Sequence, residues 1–124
     1  MSLQSQETYI FKILRGHEAA ALAQDLVFVG SAADRADGYI HLSTAAQARE
    51  TAAKHFVAES GLWLAAVATA PLGDLLRWEP SRGGASFPHL YGPLPVEAVA
   101  WLRPLPLDAH GRHVFAEPFP EPMT

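Results

Sequence analysis

Two short stretches gather most of the side chains able to do chemistry. The first is Gly38-Tyr39-Ile40-His41-Leu42-Ser43-Thr44. Read as a strand, it places Tyr39, His41 and Ser43 on one face and the apolar pair Ile40 and Leu42 on the other, buried face. A Tyr, His, Ser row running into a helix start at Thr44 sets donors and acceptors beside free backbone amides. Such an end favours anions, phosphate among them. The plainer alternative is that His41 and Ser43 satisfy each other or the backbone, and that Ser43 or Thr44 merely caps the helix.

The second stretch runs from Trp78 to Pro93 and holds Glu79, Ser81, Arg82, Ser86, His89 and Tyr91 among three glycines and three aromatics. Gly83-Gly84 allows close backbone approach. Arg82 offers a planar fork for phosphate or carboxylate. His89 and Tyr91, two residues apart, face the same way if the chain is extended. The stretch reads as one long ordered loop, and loops of this composition more often carry function than simply connect. The plainer alternative is a Pro/Gly-ordered loop with Glu79 and Arg82 paired at the surface.

Other features carry less. His17 falls in the first turn of a helix and His55 near the end of one. His110-x-x-His113 is not a zinc pair by itself. A metal site built from His41, His89 and a carboxylate ranks below a metal-free pocket, so no metal ligands are assigned. There is no Gly-rich phosphate loop, no dinucleotide fingerprint and no Gly-x-Ser-x-Gly elbow. Trp63, Trp78 and Trp101 read as core or pocket wall, since no basic residues interleave with them.

The elements that must position these residues belong to one domain of α+β class. The 124 residues suit a single core, expected over residues 9–119, with a frayed start over 1–8 and a tail over 120–124. Without cysteine there is neither a disulfide nor a thiolate zinc site, which fits a reducing cytoplasm. A net charge of −4 argues against nucleic-acid binding by phosphate neutralisation, though Arg77 and Arg82 form a local basic pair, as do Lys12 and Arg15. No apolar run reaches the length of a membrane helix. Tyr9 to Leu14 predicts a first strand, His17 to Gln24 a helix, Val27 to Val29 a short strand and Ala33 to Gly38 a polar turn. Thr44 and Gln47 have capping-box spacing, and Ala45, Ala48, Ala52 and Phe56 form the buried stripe of a second helix closed by Gly61. Leu62 to Ala68 is apolar throughout, as expected of a buried central strand. Leu75 to Glu79, Val99 to Arg103 and His113 to Phe115 complete the set. The pattern is two helices in the first half with strands throughout, joined in a small, split, mainly antiparallel sheet.

Tyr9 to Leu14, Asp37 to Thr44, Leu76 to Gly84 and Pro88 to Pro93 together closely resemble a bacterial family catalogued as domain of unknown function 952. More distantly, the order strand, helix, glycine turn, then Ile40-His41-Leu42-Ser43 before a helix resembles the ADP-ribosyltransferase-like superfamily, nearest its RNA 2′-phosphotransferase branch. That resemblance implies a split sheet gripping NAD or an ADP-ribosylated intermediate, with His41 and Ser43 on one wall and His89 and Tyr91 on the other. Arg82 and the amides near Thr44 would hold phosphate, Tyr39 would join the binding wall, and Glu79 or His89 would stabilise an oxocarbenium-like centre. In that branch the first strand supplies a histidine, whereas here its large side chains are Tyr9, Phe11 and Lys12. The expectation is therefore a nucleotide-like ligand, with NAD as a possible substrate. The alternative is a non-catalytic ligand-binding or regulatory module that kept the cleft and lost the chemistry.

Overall fold

The computed structural model describes residues 8–80 and 84–115. The start expected to fray lies outside these residues except for Thr8, as do the expected 120–124 tail and Arg82. Eight strands and three α-helices follow in the order β1 (Tyr9–Leu14), α1 (Gly16–Asp25), β2 (Val27–Phe28), α2 (Ala32–Asp37), β3 (Ile40–His41), α3 (Ala45–His55), β4 (Leu62–Ala68), β5 (Leu76–Pro80), β6 (Ser86–Leu90), β7 (Leu94–Pro95) and β8 (Val99–Leu105). Short 3-10 turns precede β5 and β8. Among the described residues no helix is long and apolar enough to cross a membrane.

All described pairings are antiparallel, in three sheets of order β1-β4-β8, β2-β7 and β3-β6-β5. A single bridge links the first and third: the Phe11 amide donates to the Ser43 carbonyl at 2.7 Å, and the Ser43 amide to the Phe11 carbonyl at 2.9 Å. The sheet is thus split, mixed with helices and mainly antiparallel, in line with the sequence.

β4 is central and buried on both sides, which is why its apolar run does not alternate. One face turns Ala65 and Val67 to a core built with Ile10, Leu14, Leu22, Phe28, Ile40, Leu90 and Leu94. The other face turns Leu62, Leu64 and Ala66 to Phe11, Ile13 and the α3 stripe Ala48 and Ala52. Those alanines let α3 lie close on the sheet, so Ala48, 0% exposed, has no room for a larger side chain. Ala48→Leu is expected to cost about 1–3 kcal/mol by overpacking, measurable by urea denaturation.

Besides reducing the expected His113–Phe115 strand to a single bridge between His113 and Leu107, the structure corrects the sequence reading in three places. The segment expected to be a polar turn is the helix α2. Ser31 caps it, its hydroxyl accepting from the Asp34 amide while Asp34 accepts from the Ser31 amide, and Gly38 closes it at φ 90°. Second, the long loop expected from Trp78 to Gly92 is mostly the β5–β6 hairpin, paired from Leu76↔Leu90 to Pro80↔Ser86. Third, α3 ends at His55 rather than running to Gly61. Pro88 stands in the middle strand of its sheet. It is tolerated because its carbonyl, and therefore its missing amide proton, faces the end of β3, where only Leu42 still donates to it.

Candidate functional site

On the three-stranded sheet the register sets His41 opposite His89 and His89 opposite Arg77. All three side chains share one face, while Ile40 and Leu90 turn into the core. Glu79, two residues beyond Arg77, lies diagonally across from His89 on that same face. Its Oε1 accepts from His89 Nδ1 at 2.7 Å and from the Tyr91 hydroxyl at 2.8 Å.

These two hydrogen bonds, the one from His89 first, hold the Glu79 carboxyl below its ordinary range. An ionised Glu79 fixes the proton of His89 on Nδ1 and leaves Nε2 as the acceptor nitrogen. Nε2 has no hydrogen-bond partner among the described residues, although the ring is 5% exposed. The same bond to Glu79 pushes the Tyr91 phenol above its ordinary value. Ultraviolet titration is expected to show two tyrosines, Tyr91 and Tyr39, ionising above the ordinary range, and Glu79→Ala should bring Tyr91 down. A Tyr91 phenol that stays high in the variant would contradict the assigned bond.

His41 is held differently. Its Nδ1 lies 2.6 Å from Asp34 Oδ1 and its Nε2 lies 2.9 Å from Asp37 Oδ2. Both contacts are hydrogen bonds only when both ring nitrogens carry protons. Asp34 is 2% exposed and also takes Lys12 Nζ at 3.0 Å and the backbone amides of Ser31 and His41. Burial opposes ionisation of Asp34, but the His41 bond, the Lys12 charge and the two amides outweigh it and hold the carboxyl well below the usual carboxylate range. Lys12 reaches across from β1 and also donates to the His41 carbonyl at 2.9 Å. Its burial lowers the ammonium pKa in spite of Asp34.

Tyr39 sits between the two histidines. Its ring stacks on His89, centroids 4.1 Å apart, and tilts against His41 at 4.7 Å and Tyr91 at 5.2 Å. Desolvation, then the charges of Asp37 and Glu79, raise its pKa. Arg77 lies 4.7 Å over the Tyr91 ring. Among the described residues no group of three His, Asp or Glu side chains is placed to hold a metal ion.

The structure thus brings Tyr39, His41, Glu79, His89 and Tyr91 together. It does not bring Ser43 or Thr44 with them. β3 ends at His41, and the buried Ser43 hydroxyl lies 3.0 Å from Thr51 Oγ1 on α3. The Thr44 side chain accepts from the Gln47 amide while Gln47 accepts from the Thr44 amide, so the cap is satisfied internally. Arg82 lies outside the described residues, and Glu79 is paired with His89 and Tyr91. The sequence reading missed Asp34, Asp37 and Lys12 as site-builders. A lysine inside an otherwise buried strand, together with two aspartates before Gly38, is the signal that points to them.

The chain belongs to the family described as Protein of unknown function (DUF952), whose model matches residues 13–102. It is similar to protein CC0527 from Caulobacter crescentus. The crystal structure of that protein is 52% identical, with 86% of this chain and 94% of that chain covered and a TM-score of 0.82. Its solution NMR structure is 53% identical, covering 84% and 90% of the two chains with a TM-score of 0.76. No curated protein matches the chain at a significant level.

Proposed function

We propose that the chain is an ADP-ribosyltransferase-like domain that takes NAD, ADP-ribose or a related phosphate-containing nucleotide over Tyr39, His41, Glu79, His89 and Tyr91. The observation that carries this reading is the Glu79–His89 couple beside the clamped His41, on adjoining strands of one half of a split sheet, with Tyr39 packed against both rings. The partly exposed tyrosines offer aromatic surface to a flat ring. Glu79 holds negative charge where an oxocarbenium-like centre would form as a glycosidic bond lengthens. The bonding pair leaves with the departing base, the acceptor oxygen bonds to the anomeric carbon, and its proton passes to His89 Nε2.

One observation favours a second reading, a binding module without turnover. Where the related branch has a first-strand histidine, β1 here offers Lys12, whose ammonium is taken by Asp34 and the His41 carbonyl. Calorimetric titration with NAD and ADP-ribose tests both readings. The parent is expected to bind, and Tyr39→Ala and His89→Ala to bind at least about tenfold more weakly, the size of one lost stacking or hydrogen-bonding contact. Parental affinity in both variants would sink the nucleotide reading. Release of nicotinamide from NAD would separate transferase from module.

A further inference from the structure

We propose that a second pocket, beside this site and sharing Tyr39 with it, binds a small flat molecule whose apolar ring carries a phosphate or carboxylate. The pocket holds about 380 Å3 and lies between α2, the end of β2 and the turn after β6, within the usual range for small-ligand sites. Its walls are apolar: Val29, Ile40, Tyr39 and Pro93, with Gly92 at the rim. Val29 is 60% exposed, so this surface has no cover among the described residues. Gly38 and Gly92 line it and add no side chain. A side chain at Gly92 would meet Leu75 at 3.0 Å, and Gly38 has nothing within 4 Å of where a Cβ would stand.

The charge decides the ligand class. Arg35, on α2, lines the pocket and has no ion pair among the described residues. The other charged lining residue, Asp34, does not oppose an anion, because its carboxylate is taken by Lys12, His41 and the Ser31 amide. Asp37, on the same helix, has its carboxylate on His41 Nε2. An unpaired guanidinium at the edge of an apolar pocket selects a molecule that is flat and greasy at one end and anionic at the other. The inference stands on these observations alone and does not require the nucleotide reading.

The test uses the full chain with the aromatic anion anilinonaphthalene sulfonate, followed by fluorescence, with circular dichroism confirming the native fold of each variant. One probe per chain should bind the parent. Arg35→Glu should weaken it at least about tenfold, the cost of one charge-assisted hydrogen bond, and Val29→Asp by a similar factor. Both residues are exposed, so neither change threatens the core. Displacement by adenosine monophosphate would mark a phosphate ligand and displacement by naphthoate a carboxylate one, and either supports the pocket. Probe binding that is absent in the parent, or unchanged in both variants, overturns it. Glu79→Gln should leave probe affinity at the parental level while weakening nucleotide binding, so the two readings fail separately.

Discussion

Asp34→Ala is expected to destabilise the domain by about 3–5 kcal/mol, the cost of stripping one partner from a buried ion pair. The carboxylate is 2% exposed and accepts from Lys12, from the His41 ring and amide, and from the amide of Ser31, the residue that caps α2. Without it the Lys12 ammonium is left buried with only the His41 carbonyl. Thermal unfolding should fall by roughly 10 °C or more. The loss belongs to the orphaned charge more than to the bond itself. Lys12→Met should therefore restore part of the stability of Asp34→Ala, and a double-mutant cycle by urea denaturation measures that coupling. Additive losses would contradict the paired arrangement. The pH dependence has a fixed sign. Asp34 is depressed in the folded state from its ordinary value of 3.8, so the unfolded chain binds more protons below that value. The stabilisation is fully present above about pH 4 and is lost as pH falls from there toward the folded-state value.

Glu79→Gln and His89→Ala are expected to have the largest functional effects. If the site turns over, each should lower kcat by roughly a hundred- to ten-thousandfold, the range for removing a positioned acid–base group. The two losses should be less than additive, because beyond its charge at the reacting centre Glu79 also sets the tautomer and orientation of His89. Glu79→Gln keeps an acceptor for the Tyr91 hydroxyl but removes the charge, so the fold should remain while the couple is lost. Because its pKa is lowered, Glu79 stays ionised down past its ordinary value of 4.5, so loss of its charge should not be what sets an acid limb of activity above that pH. Additive losses in the double variant would contradict the couple.

The parts of the fold that were legible were those where local pattern and tertiary placement agree. Leu62 to Ala68 announced a doubly buried strand, and Thr44 with Gln47 announced the start of α3. α2 was hidden because Ser31, Asp34 and Gly38 serve equally well as turn residues and as cap, capping-box partner and C-terminal stop. Six residues give no apolar periodicity to decide between the two. The β5–β6 hairpin was hidden by Pro80, Pro88 and the glycine pair. Pro80 is tolerated on an edge strand, and Pro88 only because β3 stops beside it.

For the site, His41, Glu79, His89, Tyr91 and Tyr39 stood out by type and spacing. Period-two alternation also drew in Ser43, which the early end of β3 turns to Thr51. The supporting shell was not legible. Asp34 and Lys12 are 22 positions apart, and only the closure of β1 against the segment after β3 brings them together. Long-range ion pairs of this kind leave no spacing rule in the sequence.

The most direct test of the site is to follow the aromatic and histidine side-chain resonances of the intact chain by NMR during titration with ADP-ribose. The nucleotide reading predicts saturable shifts centred on Tyr39, His41, His89 and Tyr91, abolished in His89→Ala while the rest of the spectrum stays native. Shifts confined to other surfaces, or none up to millimolar ligand, would contradict it.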